Sequence, residues 1–229
     1  MKKIVLVMFF ILMATTIQAS NWHTAVEIYG NSVDLKPYKL SILSQTFDRK
    51  GQLEKTEELT FHLDYSLDED NPERELILAL EDGKDVTEEK RKELAKGRGD
   101  SNGPPGNMED MQKMPLDPAV QTDVSSFFSG RTEIRNGITC EVWNFEIILN
   151  DKYTGVGTAW LIPSTGAAAS LEYRIEPLFP FVEEMNMGME FGDDLSDRWV
   201  MHSMNMAGKI NMLVMKKGFK SIIEFDDYR

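Results

Sequence analysis

The sequence predicts a mainly β (α+β) protein built around one antiparallel sheet. Apolar and polar residues alternate with period two over many short segments, which is typical of strands with one buried and one solvated face. The segments follow one another through short turns that contain glycine and aspartate. We therefore expect about nine to ten strands in meander order, interrupted by two helices.

The first residues of the 229-residue chain have the three parts of a secretory signal. Lys2 and Lys3 form a basic head, residues 4–13 form an apolar run, and residues 14–19 are mostly small. The run is too short to span a bilayer as a helix, so we expect cleavage after Ala19 and export of a soluble chain. No cysteine follows the run, which disfavours a lipid anchor. The expected location is the periplasm, or outside the cell.

Charge and cysteine content narrow the function classes. The formal net charge is −13, and such a surface repels nucleic acid and anionic lipid headgroups, so no nucleic-acid partner is expected. Cys140 is the only cysteine and alternates with apolar neighbours. We expect it to be a small buried hydrophobe rather than a reactive thiol. No second apolar stretch is long enough to cross a membrane.

Two tight hairpins are predicted from turn residues. Residues 48–51 (Asp-Arg-Lys-Gly) join the strand 38–47 to the strand 52–66. Residues 164–166 (Ser-Thr-Gly) form the turn before the strand 168–176, in which buried and solvated positions alternate cleanly.

Two helices are predicted between the strands. Thr87 is a candidate cap for a helix from Glu88 to about Lys96, which is polar nearly all round and should lie on the surface. A second helix is predicted over 118–129, between a capping Asp117 and Gly130. Its apolar stripe should cover an apolar surface, and consists of Val120, Val124, Phe127 and Phe128.

The segment 97–116 is predicted to be a flexible insertion. It is rich in glycine, proline and asparagine and has too few apolar groups to offset its ordering entropy. It contains Arg98-Gly99-Asp100, the tripeptide that integrins bind on exposed loops. A chance occurrence in a loop is favoured over adhesion, because no second feature supports the motif.

Catalytic signatures are absent from the sequence. His23, His62 and His202 are far apart, and no nucleophile elbow, zinc-binding helix or phosphate-binding loop occurs. The acidic runs lie in turns and lack the alternating ligands of a calcium loop. We therefore expect a protein that is not an enzyme, with no catalytic residues, no metal site and no cofactor.

Methionine is the most unusual chemical feature. Eight of the fourteen methionines fall within residues 185–215. Met185, Met187 and Met189 alternate with polar residues, so they should share one strand face. Three interpretations stay open, in decreasing order of preference: filling of the core, an adaptable apolar surface for variable ligands, and a Cu(I) site.

Three segments carry a resemblance to a known family. They are residues 157–166 (GTAWLIPSTG), residues 198–200 (RWV) and residues 219–229 (FKSIIEFDDYR). With them, the chain resembles the outer-membrane lipoprotein-sorting, or LolA-like, family. The resemblance implies a single domain over 20–229, whose sheet curls into an incomplete β-barrel with one or two helices at its open side. It also implies a hollow that holds acyl chains.

These observations lead to one functional hypothesis and two alternatives. The preferred hypothesis is a soluble carrier that binds a lipid, an acyl chain or another hydrophobic ligand in the half-barrel. The alternatives are an interaction module that binds another envelope protein and, less favoured, a Cu(I)-binding protein. The candidate ligand-lining residues are Trp160, Trp199, Met185, Met187, Met189, Val120, Val124 and Phe127.

Overall fold

The computed structural model describes residues 21–68, 72–96, 113–194, 198–212 and 215–229. The leader at 1–19 and the Arg98-Gly99-Asp100 motif lie outside these residues. Residues 21–32 are helical and are called α1. The other elements are β1 Pro37–Phe47, β2 Leu53–Asp64, β3 Glu73–Glu81, β4 Lys84–Asp85, α2 Thr87–Ala95, a 3₁₀ helix Pro118–Asp123, β5 Val124–Arg135, β6 Ile138–Ile148, β7 Thr154–Leu161, β8 Ala168–Glu176, β9 Val182–Asp193, β10 Trp199–Met212 and β11 Met215–Tyr228.

The strands form one sheet in the order β4-β3-β2-β1-β11-β10-β9-β8-β7-β6-β5. The predicted mainly β class with an antiparallel sheet is confirmed, and the order has two ends, so the described sheet is open. It has eleven strands rather than nine or ten. The additional strands are the two-residue β4, which is too short to produce a periodic signal, and β5, whose segment resembled a helix.

The chain divides into two compact units. Unit 1 contains the described residues of Met1–Asp34, Lys113–Glu176 and Phe191–Val200. Unit 2 contains those of Leu35–Gln112, Pro177–Glu190 and Met201–Arg229. A single domain over 20–229 stays a prediction, because the contacts within the chain define these two units instead.

Both predicted hairpins are confirmed. The turn between β1 and β2 places Gly51 at φ 79°, and the turn between β7 and β8 places Gly166 at φ 78°. Glycine adopts these angles without the steric penalty that a side chain would cause. In the first turn, one carboxylate oxygen of Asp48 accepts hydrogen bonds from the backbone N–H groups of Lys50 and Gln52.

Helix α2 confirms the predicted polar surface helix and corrects the predicted role of Thr87. The Thr87 side chain makes no capping bond; the backbone N–H of Ala79 on β3 donates to its hydroxyl at 2.9 Å, and the hydroxyl bonds to Asp85. The guanidinium of Arg91 donates two hydrogen bonds to the carbonyl of Leu76. Side chain to backbone bonds therefore hold this polar helix on β3 of unit 2.

The helix predicted over 118–129 is wrong beyond its first turn. Asp117 does cap the start, since its carboxylate accepts a hydrogen bond from the N–H of Ala119 at 2.8 Å. A 3₁₀ helix then ends at Asp123, and β5 begins at Val124. Residues 124–128 alternate half-buried and exposed positions and pair with β6, so tertiary pairing overrides the helical spacing. Gly130, at φ 77°, lies in a bulge of this pairing rather than after a helix.

The last residues of the predicted insertion 97–116 belong to the packed part of the chain. Residues 97–112 lie outside the described part, and Lys113 is the first described residue after them. Leu116 is only 1% exposed and packs in unit 1. Lys113 also donates to the carboxylate of Asp123 at 2.6 Å and to the carbonyl of Ile148.

Gly157 on β7 lies where this strand closely approaches β8 in unit 1. A Cβ at this position would lie 2.4 Å from the carbonyl oxygen of Glu172 and 2.6 Å from the Phe145 ring. Because a backbone atom is among the obstacles, relaxation is limited. We expect Gly157→Ala to lower the free energy of unfolding by about 1–3 kcal/mol, as for other overpacked cores.

Urea unfolding followed by circular dichroism measures this effect. Ser125→Ala on the exposed side of β5 is the matched control and should change stability by less than about 0.5 kcal/mol. Equal stability of Gly157→Ala and the wild type would contradict the close approach of β7 and β8.

Candidate ligand-binding site

Helix α1 covers the apolar core of unit 1. Its apolar side chains recur at Trp22, Ala25, Val26 and Tyr29, which is the i, i+3, i+4, i+7 spacing of an amphipathic helix. The first three are at most 7% exposed. This helix was not predicted from the sequence, although the spacing of these four residues is visible directly after the leader.

Aromatic rings form the floor under α1. The Trp22 ring centroid lies 6.2 Å from that of Trp143 and 5.8 Å from that of Phe145, both on β6. Phe128 and Tyr173 extend the cluster through contacts with Trp143 and Phe145. Aromatic pairs at these distances add to the hydrophobic stabilisation from burial. The helix is thus held to the sheet largely by apolar contacts.

Two side-chain hydrogen bonds connect the first residues of α1 to the rest of unit 1. The Asn21 side chain donates to the Glu141 carboxylate at 2.9 Å. The Trp22 indole N–H donates to Gln121 at 3.2 Å. Neither bond is fully buried, so water can replace both partners at small net cost.

Glycine and proline allow a close fit along α1. A Cβ on Gly30 would lie 2.7 Å from the Pro118 ring, and a Cβ on Gly166 would lie 2.7 Å from Cβ of Thr24. The 3₁₀ helix and the turn between β7 and β8 therefore both border α1.

The structure brings together two of the candidate lining residues, Trp160 and Trp199. Both belong to one apolar cluster of unit 1, in which Ile28 of α1 also packs. The Trp199 indole N–H donates to the carbonyl of Ala168 at 2.7 Å. The buried members of this cluster are Cys140, Val142, Trp160, Ile162, Ala167 and Ala169.

Charged groups surround the Trp160 ring. Its indole N–H donates to the Glu133 carboxylate at 2.9 Å. The guanidinium of Arg135 lies 3.6 Å from the ring centroid and forms an ion pair with Glu172 at 2.8 Å. A cation over an indole face is attracted by the π system, so Arg135 fixes the ring. Trp160 is thus only 5% exposed and is anchored in place.

The remaining candidate lining residues are dispersed. Val120 and Val124 are half-buried on the 3₁₀ helix and β5, while Phe127 is 60% exposed. They do not form the expected helical stripe, because Val124 and Phe127 belong to a strand and point to opposite sides of it. Met185, Met187 and Met189 share the inner positions of β9 as predicted, with Met189 only 2% exposed, but they belong to unit 2.

The site has no pair of groups tuned for acid–base chemistry in the described residues. Burial, with the nearby Asp117 carboxylate, raises the pKa of Tyr29 to about 12. Burial alone raises the pKa of Tyr173 to about 12 and also raises that of the Cys140 thiol. These groups stay neutral near pH 7. Cys140 is fully buried, as the sequence predicted.

The described residues contain no group of three or more metal-ligating histidine, cysteine or carboxylate side chains.

Comparisons with known proteins give distant structural similarity. No family model and no curated protein matches the chain. Among solved structures, it is similar to a LolA superfamily protein from Nitrosomonas europaea, with 10% identity, 93% of this chain and 92% of that chain covered, and a TM-score of 0.37.

Two further solved structures are similar at the same level of identity. One is a putative outer membrane lipoprotein-sorting protein domain from Vibrio parahaemolyticus, with 12% identity, coverage of 91% and 92%, and a TM-score of 0.38. The other is the MucA/MucB complex of Pseudomonas aeruginosa, with 11% identity, coverage of 90% and 93%, and a TM-score of 0.25. The name of the Vibrio protein, like that of the Nitrosomonas protein, refers to the family that the sequence resembles. Among the described residues, no helix is both long and apolar enough to cross a membrane.

The two buried tyrosines predict how stability depends on pH. Their folded pKa values lie above the unfolded value of about 10, so the folded state keeps protons that the unfolded state loses. The contribution of these two tyrosines to stability should be constant up to about pH 9 and should fall as the pH rises from about 10 to 12, by up to about 1.4 kcal/mol per tyrosine and pH unit.

Urea unfolding between pH 8 and about pH 11.5 measures this dependence. Tyr29→Phe and Tyr173→Phe should each flatten the decline, because each removes one titrating phenol. Tyr153→Phe, at a half-buried position of the same unit, is the control. A decline of the same slope in all variants would contradict the assignment to Tyr29 and Tyr173.

Proposed function

We propose that the protein is an exported, non-enzymatic binding protein that holds a hydrophobic ligand, such as an acyl chain, between α1 and the sheet of unit 1. The observation that carries the proposal is the α1 contact, in which a short helix covers an aromatic floor with buried apolar side chains. Trp160 and Trp199 remain the proposed lining residues from the sequence. The leader at 1–19 supports work outside the cytoplasm, in the periplasm of a double-membrane cell.

The mechanism is an exchange of apolar contacts. In the free protein, α1 buries its own side chains; in the complex, an alkyl chain occupies their place. Uncovering Trp22, Ala25 and Val26 costs about 6 kcal/mol, from about 1.5–3 kcal/mol for each larger side chain. Each buried methylene returns about 0.8 kcal/mol, so roughly eight methylenes are needed before binding becomes favourable. The proposal therefore requires a long chain, and favours palmitate over short fatty acids.

Loosening α1 tests the exchange. Val26→Ala removes two buried methyl groups, which weakens the α1 contact by about 1.6 kcal/mol. If the ligand displaces α1, this variant should bind palmitate about tenfold more tightly than the wild type. Tryptophan fluorescence reports on the site, because all four tryptophans of the chain, Trp22, Trp143, Trp160 and Trp199, lie in unit 1.

Val33→Ala is the matched control, since Val33 follows α1 and is 55% exposed. It should bind palmitate as the wild type does. Weaker or unchanged binding by Val26→Ala would contradict displacement of α1. Absence of palmitate binding in the wild type and both variants, checked by native mass spectrometry after exposure to a lipid extract, would contradict the proposed function.

A second candidate function is docking of another envelope protein at the edge strand β5. This strand ends the sheet order, so one row of its backbone groups has no neighbouring strand in the described residues. Ile134 is 74% exposed and Phe127 is 60% exposed. An extended segment of a partner adds to such an edge through main-chain hydrogen bonds, and apolar side chains add affinity.

Ile134→Lys tests this candidate, because a charge opposes apolar docking while the exposed position keeps the fold stable. A partner captured from the envelope fraction by the wild type should be lost with this variant. Ile77→Lys, at a residue of β3 that is 48% exposed, is the control. Capture of the same proteins by all three forms would contradict docking at β5.

A further inference from the structure

A groove of about 540 Å³ lies in unit 2, and its chemistry differs from that of the α1 site. It is bordered by the turn between β1 and β2, the start of β9, the end of β10 and the start of β11. Its volume falls within the usual range of small-molecule sites. The charged side chains that line it are Arg49, Lys209, Lys216, Lys217 and Lys220, with Asp48, Glu183 and Glu184.

Gly218 forms the centre of the groove. It lies opposite Lys209 of β10 and opposite Phe47 of β1 in the antiparallel registers. Lys216 and Lys220 are two residues away on either side of it, on the same face of β11. Because Gly218 has no side chain, it leaves a notch that is surrounded by three lysines and one aromatic ring.

The groove carries an excess of positive charge, whereas the net charge of the whole chain is negative. Five cationic and three acidic side chains line the groove, and a fourth carboxylate, that of Glu54, pairs with Lys217 at 2.8 Å, in a protein with a formal net charge of −13. One carboxylate oxygen of Asp48 is engaged by two backbone N–H groups of its own turn. Arg49 and Lys220 form no ion pair with any side chain in the described ranges. A local excess of cations therefore attracts an anion to this place.

Lys209 and Lys216 are held by partners that an anion can replace. Lys209 pairs with Glu184 at 2.7 Å, and Lys216 pairs with Glu183 at 2.6 Å. These contacts raise the pKa of Lys209 and lower the pKa values of both glutamates. The pairs are exposed to solvent, where such interactions contribute little to stability. Both lysines can thus reorient towards a bound anion without a large loss.

We propose that this groove binds a phosphate group, which lies over Gly218 among Lys209, Lys216, Lys220 and Arg49. Lysine ammonium groups and arginine guanidinium groups are the usual phosphate partners in proteins. Phe47, which pairs with Gly218 in the register, supplies apolar contact for whatever the phosphate is attached to. The phosphate is either free in solution or part of a lipid headgroup, and the two sources are separated by the test.

The test compares the full chain without its leader with three variants. Arg49→Gln/Lys220→Gln removes the two cations that lack ion pairs, and Gly218→Val fills the notch. A Cβ at Gly218 would lie 3.4 Å from Cβ of Phe47 and the residue does not have a positive φ, so strand geometry tolerates the substitution. Lys39→Gln is the control for loss of a cation elsewhere, since Lys39 is an exposed residue of β1 outside the groove. Thermal unfolding checks that each variant is folded.

Inorganic phosphate is titrated calorimetrically, and phosphatidylcholine vesicles with and without phosphatidylglycerol are used in sedimentation assays. The charge variant should bind the phosphate source at least about tenfold more weakly, because it loses two charge-assisted contacts. Gly218→Val should lose binding, and Lys39→Gln should bind as the wild type does.

If inorganic phosphate binds in solution, the free ion is sufficient as the ligand. If the protein binds only to vesicles that contain phosphatidylglycerol, the ligand is the lipid headgroup. Either result supports the proposal if the variants weaken it as described. Equal affinity of all folded variants, or no binding to either probe by the wild type, would overturn it. Neither of these two outcomes bears on the palmitate test of the α1 site, because that test measures a different ligand at a site in unit 1.

Discussion

The register of the antiparallel strand pairs is the constraint on which the rest of the structure depends. A slip by one residue would turn every apolar side chain to the opposite face of its strand. Glycines hold the register in unit 1, because a side chain at Gly155 or Gly157 would collide with Ile147, Tyr173 or Phe145. In unit 2, the register of β11 places Gly218 between Phe47 and Lys209, so the same constraint creates the groove.

Each unit uses a different kind of helix to complete its packing. In unit 1, α1 contributes apolar side chains to the core, and its polar bonds are few. In unit 2, the polar α2 is held by side chain to backbone bonds from Arg91 and Thr87, beside a core that contains Leu40, Phe61 and Leu76. A helix fixed by directed bonds to one carbonyl keeps a single position. Apolar contacts can be made by any apolar surface of similar size. For this reason α1, and not α2, is the helix that we propose a ligand displaces.

Local patterns in the sequence predicted the parts of the fold that depend on neighbouring residues. The hairpin turns, the polar helix α2 and the alternation of β9 were all predicted, since turn residues and periodicity determine them. The segment after Asp117 was assigned to a helix because positions 120, 124, 127 and 128 fit a helical stripe as well as a strand. Only the pairing with β6, which is distant in sequence, decides between the two.

The candidate sites show the same limit. Trp160 and Trp199 lie in one apolar cluster, and their role as ligand-lining residues stays a prediction. The α1 stripe was overlooked since it is short and directly follows the leader. The cationic groove was not predictable, because its lysines and arginine come from three separate parts of the chain and the overall charge is negative. Strand register alone brings them together.

The two candidate sites rely on forces that respond differently to solution conditions. Burial of an alkyl chain under α1 depends on apolar area, and salt within the physiological range changes it little. Attraction of a phosphate to exposed lysines is screened over about 8 Å at physiological ionic strength. The remaining acidic surface of the chain repels anions, so only the short-range field inside the groove favours binding. Raising the salt concentration therefore weakens binding at the groove and leaves binding under α1 in place, which assigns an observed ligand to one site.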